Sequence, residues 1–345
     1  MNLKKSITWA VTGLFVFASA LSAEEIKGDK TAGKTNARML AKSGMADDGP
    51  TSTFFNINSW KIQMEHQGFF QWNGTSHGSA GNYPKGMGSV IFAEGILWGV
   101  KASDKYGVKE NGEILTDGTG SGLPRIRVNG SMYNTGLKAG KVLRDANGRI
   151  KTSGYSENYR DQQIWRVRKD WNTGDLTVDA SILRDIAVSD VTEAMIAADK
   201  AQYEKDWKNW PTDEGAPFDD VDGDGVYTPG TWNDETGSWS GDIPGIPGSD
   251  QTVWTVANDL PDEYADGGVV SVSEDGWGSP PVGFEMQLTL WGYDFPFSNP
   301  ISSMMFKRAR MIYVGLPGGP ADAKLDTVYF TQWSDPDLGT YTDDY

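Results

Sequence analysis

The sequence predicts a mainly β fold: β-sandwich-like sheets, one prominent amphipathic helix near residues 190–210, and long glycine-rich acidic loops. Three observations predict it. The 345 residues include 42 Gly and 16 Pro, which divide the chain into short segments. Several of those segments alternate apolar and polar residues with the period of a strand. One stretch alone sustains a helical period over several turns. Apolar residues make up 38% of the chain and 14 residues are Trp, enough for a packed core and not the composition of a disordered chain.

Residues 1–23 read as a signal peptide. Lys4 and Lys5 form a charged start, Ile7 to Ala18 is mostly apolar, and small residues allow cleavage after Ala20 or Ala23. The apolar run is shorter than the roughly 20 residues that span a bilayer. The expected mature protein is therefore secreted or at the cell surface, with no transmembrane anchor in this chain. Residues 24–50 are polar, charged and free of aromatics, a flexible lead-in. The remaining stretch of about 295 residues exceeds one typical domain. The expected division is a β-rich domain over residues 51–185 and a second over residues 186–345, holding the helix, the acidic loop and sandwich-like strands.

Within the first part, Ser89–Val100 suits a buried strand interrupted at Gly95. Asn129-Gly130, between Ile126–Val128 and Ser131–Tyr133, predicts a hairpin with a type I′ turn. Gln163–Trp171 and Leu176–Ile182, flanking Asn172–Asp175, predict a second hairpin. In its first strand Ile164, Arg166 and Arg168 face away from Trp165, Val167 and Lys169. Asp190-Val-Thr-Glu193 reads as a capping box. Ile196, Tyr203, Trp207 and Trp210 then share one helical face that packs on a sheet, and Pro211 ends the helix. Strands resume over Phe284–Trp291, Met304–Val314 and Leu325–Trp333.

The net charge of −16 argues against a nucleic-acid binder, which needs clustered Lys and Arg to neutralise phosphates, and it disfavours electrostatic attachment to an anionic membrane. With no Cys there are no disulfides, thiolate catalysts or Cys-ligated metals. His66 and His77 leave little room for a multi-His site. The acidity is local: between Lys208 and Lys307 there is no Lys or Arg and there are 18 Asp and Glu. Carboxylates so concentrated need solvation or cations.

At the centre of that stretch, Asp220-Val-Asp222-Gly-Asp224-Gly225 places carboxylates at positions 1, 3 and 5 and glycine at position 6 of an EF-hand-type loop. Alternate carboxylates in a tight turn converge on one point, and Val226 at position 7 offers a backbone carbonyl. Thr231 stands at position 12, where the loop needs a bidentate Glu, so the pattern is incomplete. Asp219, Asp234, Glu235, Asp242 and Asp250 are candidates for the missing ligand. Calcium in a structural role is the expected cofactor. Asp335-Pro-Asp337 with Asp343 and Asp344 forms a second, weaker acidic cluster.

No nucleophile elbow, zinc-protease, P-loop or dinucleotide motif occurs. Glu94 and Glu285 are the carboxylates to inspect for glycoside hydrolysis, against the plainer reading of outward-facing strand residues. Trp232, Trp239, Trp254 and Trp277 sit in polar, glycine-rich contexts where indoles can stack on sugar rings. The first functional reading is a calcium-stabilised structural or adhesive protein without catalytic activity. The second is a carbohydrate-binding module or a polysaccharide-degrading glycoside hydrolase. Expected partners are a calcium ion and an extracellular glycan or cell-surface component.

Several stretches carry a resemblance: Asp206-Trp-Lys-Asn-Trp-Pro211, Gly215-Ala-Pro-Phe218, Asp220–Tyr227, Pro244-Gly-Ile-Pro-Gly248, Asp250–Trp254, Asn258-Asp259, Met304–Arg308 and Gln332–Gly339. Their order resembles that of large, uncharacterised secreted proteins of bacteria with type IX secretion, which often bear fibronectin-like and C-terminal sorting domains. The resemblance covers roughly residues 50 to 345. It implies export and no particular activity. Proteins of that kind continue past the Trp-Ser-Asp-Pro-Asp-Leu-Gly motif, which implies that this chain is an N-terminal fragment.

Overall fold

The computed structural model describes residues 49–70, 72–73, 78–79, 81–103, 124–131, 137–147, 150–155, 158–260, 282–316, 325 and 327–336. The fold is mainly β, built on two larger antiparallel sheets. The first sheet orders the strands Ser52–Phe55, Lys61–Glu65, Gly81–Asn82, Ser89–Ser103 and Thr327–Pro336, with Pro124–Gly130 also paired to the long Ser89–Ser103 strand. The second orders Trp165–Arg168, Gln251–Asn258, Phe284–Gly292 and Phe306–Tyr313, with the short Lys138–Ala139 also paired to Gln251–Asn258. Both sheets draw strands from either side of residue 185.

Strand alternation makes the layers. Phe55, Ile62, Met64, Trp98 and Val100 from the first sheet meet Val253, Ala257, Met286, Leu288 and Leu290 from the second in one core. The opposite face of the second sheet forms another core, in which Trp165, Val167, Trp254 and Val256 pack on Trp207, Trp210 and Ala216. Every residue of Gln251–Asn258 is buried, because one side chain in two serves each core. Burying each of its large apolar side chains contributes roughly 1.5–3 kcal/mol.

The helix runs over Glu193–Lys208. Its N-cap is Thr192, whose hydroxyl accepts from the Met195 amide at 3.3 Å, and not Asp190. Val191 and Thr192 are extended, so Asp190 closes a separate 3-10 turn, Val188–Asp190. Tyr203 and Trp207 are buried on the expected face, while Ile196 is half-buried and Trp210 lies beyond the Asn209 C-cap.

Among the described residues neither expected hairpin turn forms; Met132 and Tyr133 lie outside them. The Pro124–Gly130 strand runs straight through Asn129-Gly130, paired along Ser89–Ser103. Gly130 serves close approach instead: a Cβ there would lie 2.2 Å from the Ile96 carbonyl oxygen. Gly95 likewise does not interrupt its strand, since it makes room for the Ser131 backbone and the Trp333 indole. After Trp165–Arg168 the chain turns into a helix, Thr177–Arg184. Asp175 initiates that helix, its carboxylate accepting from the Thr177 amide and hydroxyl at 2.9 and 2.6 Å.

That helix delivers Asp179, 2% exposed, to a buried polar network. Its carboxylate accepts from Asn56 Nδ2 at 2.7 Å and Tyr203 Oη at 2.9 Å, and it is ion-paired to Arg166 and, at 3.5 Å, to Arg168. Burial raises the Asp179 carboxyl, yet the two guanidinium groups outweigh it and hold the group below the usual carboxylate range.

Candidate metal centre

The acidic loop leaves the sheet after Phe218–Asp219, which pairs with Ile243–Pro244. Its far end is pinned by Tyr227, whose ring meets Phe218 edge-on at 5.4 Å and whose hydroxyl donates to the Trp207 carbonyl at 2.6 Å. Between these anchors Gly223 and Gly225 take φ of 75° and 76°, a left-handed conformation that strains other residues. Asp220 folds the turn around itself: one carboxylate oxygen accepts from the Gly223 amide and the other from the Gly225 amide, each at 2.8 Å. Asp222 accepts from the Asp224 amide at 3.2 Å, and Asp224 from the Val226 amide at 2.7 Å. The result is the convergence that the spacing predicts. One carboxylate oxygen each from Asp220, Asp222 and Asp224 lies within 4.8 Å of the others.

A fourth acid frames the loop from outside. Asp242 is 1% exposed; one oxygen accepts from the Val221 amide at 3.0 Å and the other from the Thr228 amide at 2.7 Å. It therefore clamps both ends of the loop with the two oxygens a ligand role would need. The remaining sequence candidates lie elsewhere. Thr231 begins a small hairpin, Thr231–Asn233 with Ser238–Ser240, and its carbonyl accepts from Ser240 Oγ. Asp219 sits in its strand pair, Asp234 accepts from Trp232 Nε1 at 2.9 Å, and Asp250 accepts from the Asp294 amide at 2.8 Å. Glu235 is exposed in the hairpin turn, where its amide donates to Asn233 Oδ1. Val226 is 62% exposed, so its position 7 role rests on the backbone carbonyl alone. Asp335 lies in the Thr327–Pro336 strand, while Asp337, Asp343 and Asp344 lie outside the described residues.

The donor set suits a hard cation with oxygen ligands. Like charges this close repel, and the amide bonds to Asp220 offset only part of that repulsion. A cation such as calcium would remove the rest, using three carboxylates, one carbonyl and solvent.

The candidate catalytic carboxylates are not outward-facing. Glu94 is buried and ion-paired with Lys307 across the two sheets, and it accepts from Gln332 Nε2 at 3.2 Å. Glu285 accepts from the Val142 amide at 2.8 Å; burial raises its carboxyl and that amide pulls it back. The chain's own groups occupy both. His66 Nδ1 pairs with the Gln162 carbonyl at 2.7 Å and burial lowers its pKa; His77 lies outside the described residues.

Of the candidate stacking indoles, Trp254 is 1% exposed and belongs to the core, because its strand is covered on both faces. Trp277 lies outside the described residues. Trp232 and Trp239 stand directly opposite each other on the small hairpin and are half-buried. The Asp242 clamp was one candidate among five in the sequence, whereas the Asp179 network has no sequence signature. Comparison with known protein families, with curated proteins and with solved structures found no match for this chain. Among the described residues, no helix is long and apolar enough to cross a membrane.

Proposed function

We propose that this chain is a calcium-stabilised β-sandwich protein of the cell exterior, exported by its signal peptide, with a structural or adhesive role and no catalysis. The observation that carries the reading is the convergence of Asp220, Asp222 and Asp224 around two left-handed glycines, on a loop clamped at both ends by Asp242. The loop lies directly behind the second core through Tyr227, so an ion held there ties the acidic segment to the sheet. A ligand bound only by the folded state stabilises it by about 2.7 kcal/mol at a hundredfold excess over Kd. The export part rests on residues 1–23 and on the resemblance to type IX secretion proteins.

Thermal unfolding in millimolar calcium and in excess chelator tests the reading. The expected result is a melting temperature about 5 °C or more higher with calcium, lost in Asp222→Asn. Identical curves in both buffers would refute it. N-terminal sequencing of the exported protein should begin at Leu21 or Glu24.

A further inference from the structure

Beside the small hairpin a cleft of about 490 Å³ opens, lined by Lys169, Asp170, Trp232, Trp239, Asp250 and Asp294. Its volume falls within the range of small-molecule sites. We propose that this cleft binds a short segment of neutral glycan, stacked on the two indoles and hydrogen-bonded to the carboxylates. The proposal goes beyond the calcium reading and does not depend on it.

The aromatic wall is built in advance of any ligand. Trp232 and Trp239 meet at 5.4 Å and 65°, forming a corner. Trp239 stacks at 4.2 Å on Trp207, which is fully within the second core, and at 6.3 Å on Trp171. A row of indoles therefore runs from the interior to the cleft, and little side-chain entropy remains to be lost on binding. Both polar ends are already in use: Trp232 Nε1 donates to Asp234 at 2.9 Å and Trp239 Nε1 to the Lys169 carbonyl at 3.3 Å. What these residues can offer a ligand is apolar ring surface, the complement of the C–H face of a pyranose.

The polar wall selects hydroxyls. Ionised carboxylates only accept hydrogen bonds, and vicinal sugar hydroxyls present two donors side by side. The charges around the cleft balance. Arg168 takes Asp170 through two bonds of 2.9 Å, Lys169 stands on the wall, and Lys85 lies within electrostatic reach of Asp294. Of the three lining acids Asp170 is matched by Arg168 behind the wall, and Lys169 and Lys85 offset the charge of Asp250 and Asp294, so neither a phosphate nor a polycation is favoured and neutral hydroxyls are the matching ligand.

Affinity electrophoresis of the whole exported chain through gels containing soluble cellulose derivative, xylan, mannan, β-1,3-glucan or glycol chitin tests the proposal, with tryptophan fluorescence titration using the corresponding oligosaccharides. At least one glycan should retard the protein, and Trp232→Ala should weaken that binding about tenfold or more with an unchanged melting curve. Asp294→Asn should weaken it less, and it decides the matter if the Trp variant fails to fold. Retardation by none of the five, equal binding by the variants, or retention by polylysine alone overturns the proposal. Repeating the titration in chelator separates the two readings: glycan binding that persists beside an unshifted melting curve leaves the cleft standing and removes the calcium.

Discussion

Around Asp179 and around Asp220 the fold gathers carboxylates and their counter-charges in opposite ways. Asp179 is buried with Arg166, Arg168, Asn56 and Tyr203, so the chain itself supplies every partner from separate segments. Asp220, Asp222 and Asp224 come from one short exposed turn, and their nearest partners are the amides of that same turn. The first arrangement is completed on folding. The second brings negative charge together and leaves the neutralising charge to solution. A carboxylate's role is thus read from where its counter-charge comes from, more than from how many acids surround it.

The largest effect expected from breaking this contrast is at Asp179. Asp179→Ala strands the buried Arg166 guanidinium, while Arg168 keeps its two bonds to Asp170, and should cost about 3–5 kcal/mol, measured by urea denaturation. The same change at Asp222 should cost under about 1 kcal/mol in calcium-free buffer, because it relieves repulsion at an exposed site. Next comes Asp242→Ala, which frees the amides of Val221 and Thr228 and should cost roughly 3 kcal/mol while abolishing the calcium response. If that variant keeps its calcium-dependent melting shift, the clamp does not shape the loop.

Protonation separates the regions further. Asp179 is held low in the native state, so its contribution is present near neutrality and is lost as pH falls through the acid range. Burial raises Glu65 and Asp206 to about 7, and burial with the neighbouring Asp161 raises Glu214 to about 8. Native carboxyls raised in this way bind more protons than the unfolded chain between about pH 4 and 8, so stability falls as pH rises through that window. Calcium-free protein should therefore be most stable in mildly acidic buffer, with Glu214→Gln flattening the alkaline side. A maximum at or above pH 8 in denaturation series would contradict these shifts. The smallest effect belongs to Val226→Ala, within about 0.5 kcal/mol and without change in the calcium midpoint, since only its backbone carbonyl is required.

The Phe284–Gly292 strand was legible because alternation survives in it: Phe284, Met286, Leu288 and Leu290 point to one core as their period demands. The loop was legible for a local reason, as Asp220 to Gly225 carries its whole geometry in six residues. Asn129-Gly130 misled because turn chemistry is permissive. The same glycine satisfies a tight turn or the close passage of a neighbouring strand, and tertiary contact decides. Leu176–Ile182 became a helix under the Asp175 bond and the pull of Asp179 toward Arg166, a pairing that no spacing along the chain records. The cleft was half legible: Trp232 and Trp239 stood out by context, while Asp170 and Asp294 come from remote segments.

The pairing of Thr327–Pro336 with Ser89–Ser103 sets a condition on the order of events during synthesis. Phe330 lies opposite Trp98, so the first sheet waits for a strand that leaves the ribosome roughly 230 residues after its partner, and long-range pairing of this kind is slow. Until then Trp98 and Val100 lack a neighbour along one whole edge. A chain wired this way keeps the long Ser89–Ser103 strand open on that side until residues 327–336 have emerged, so the first core is sealed late in folding.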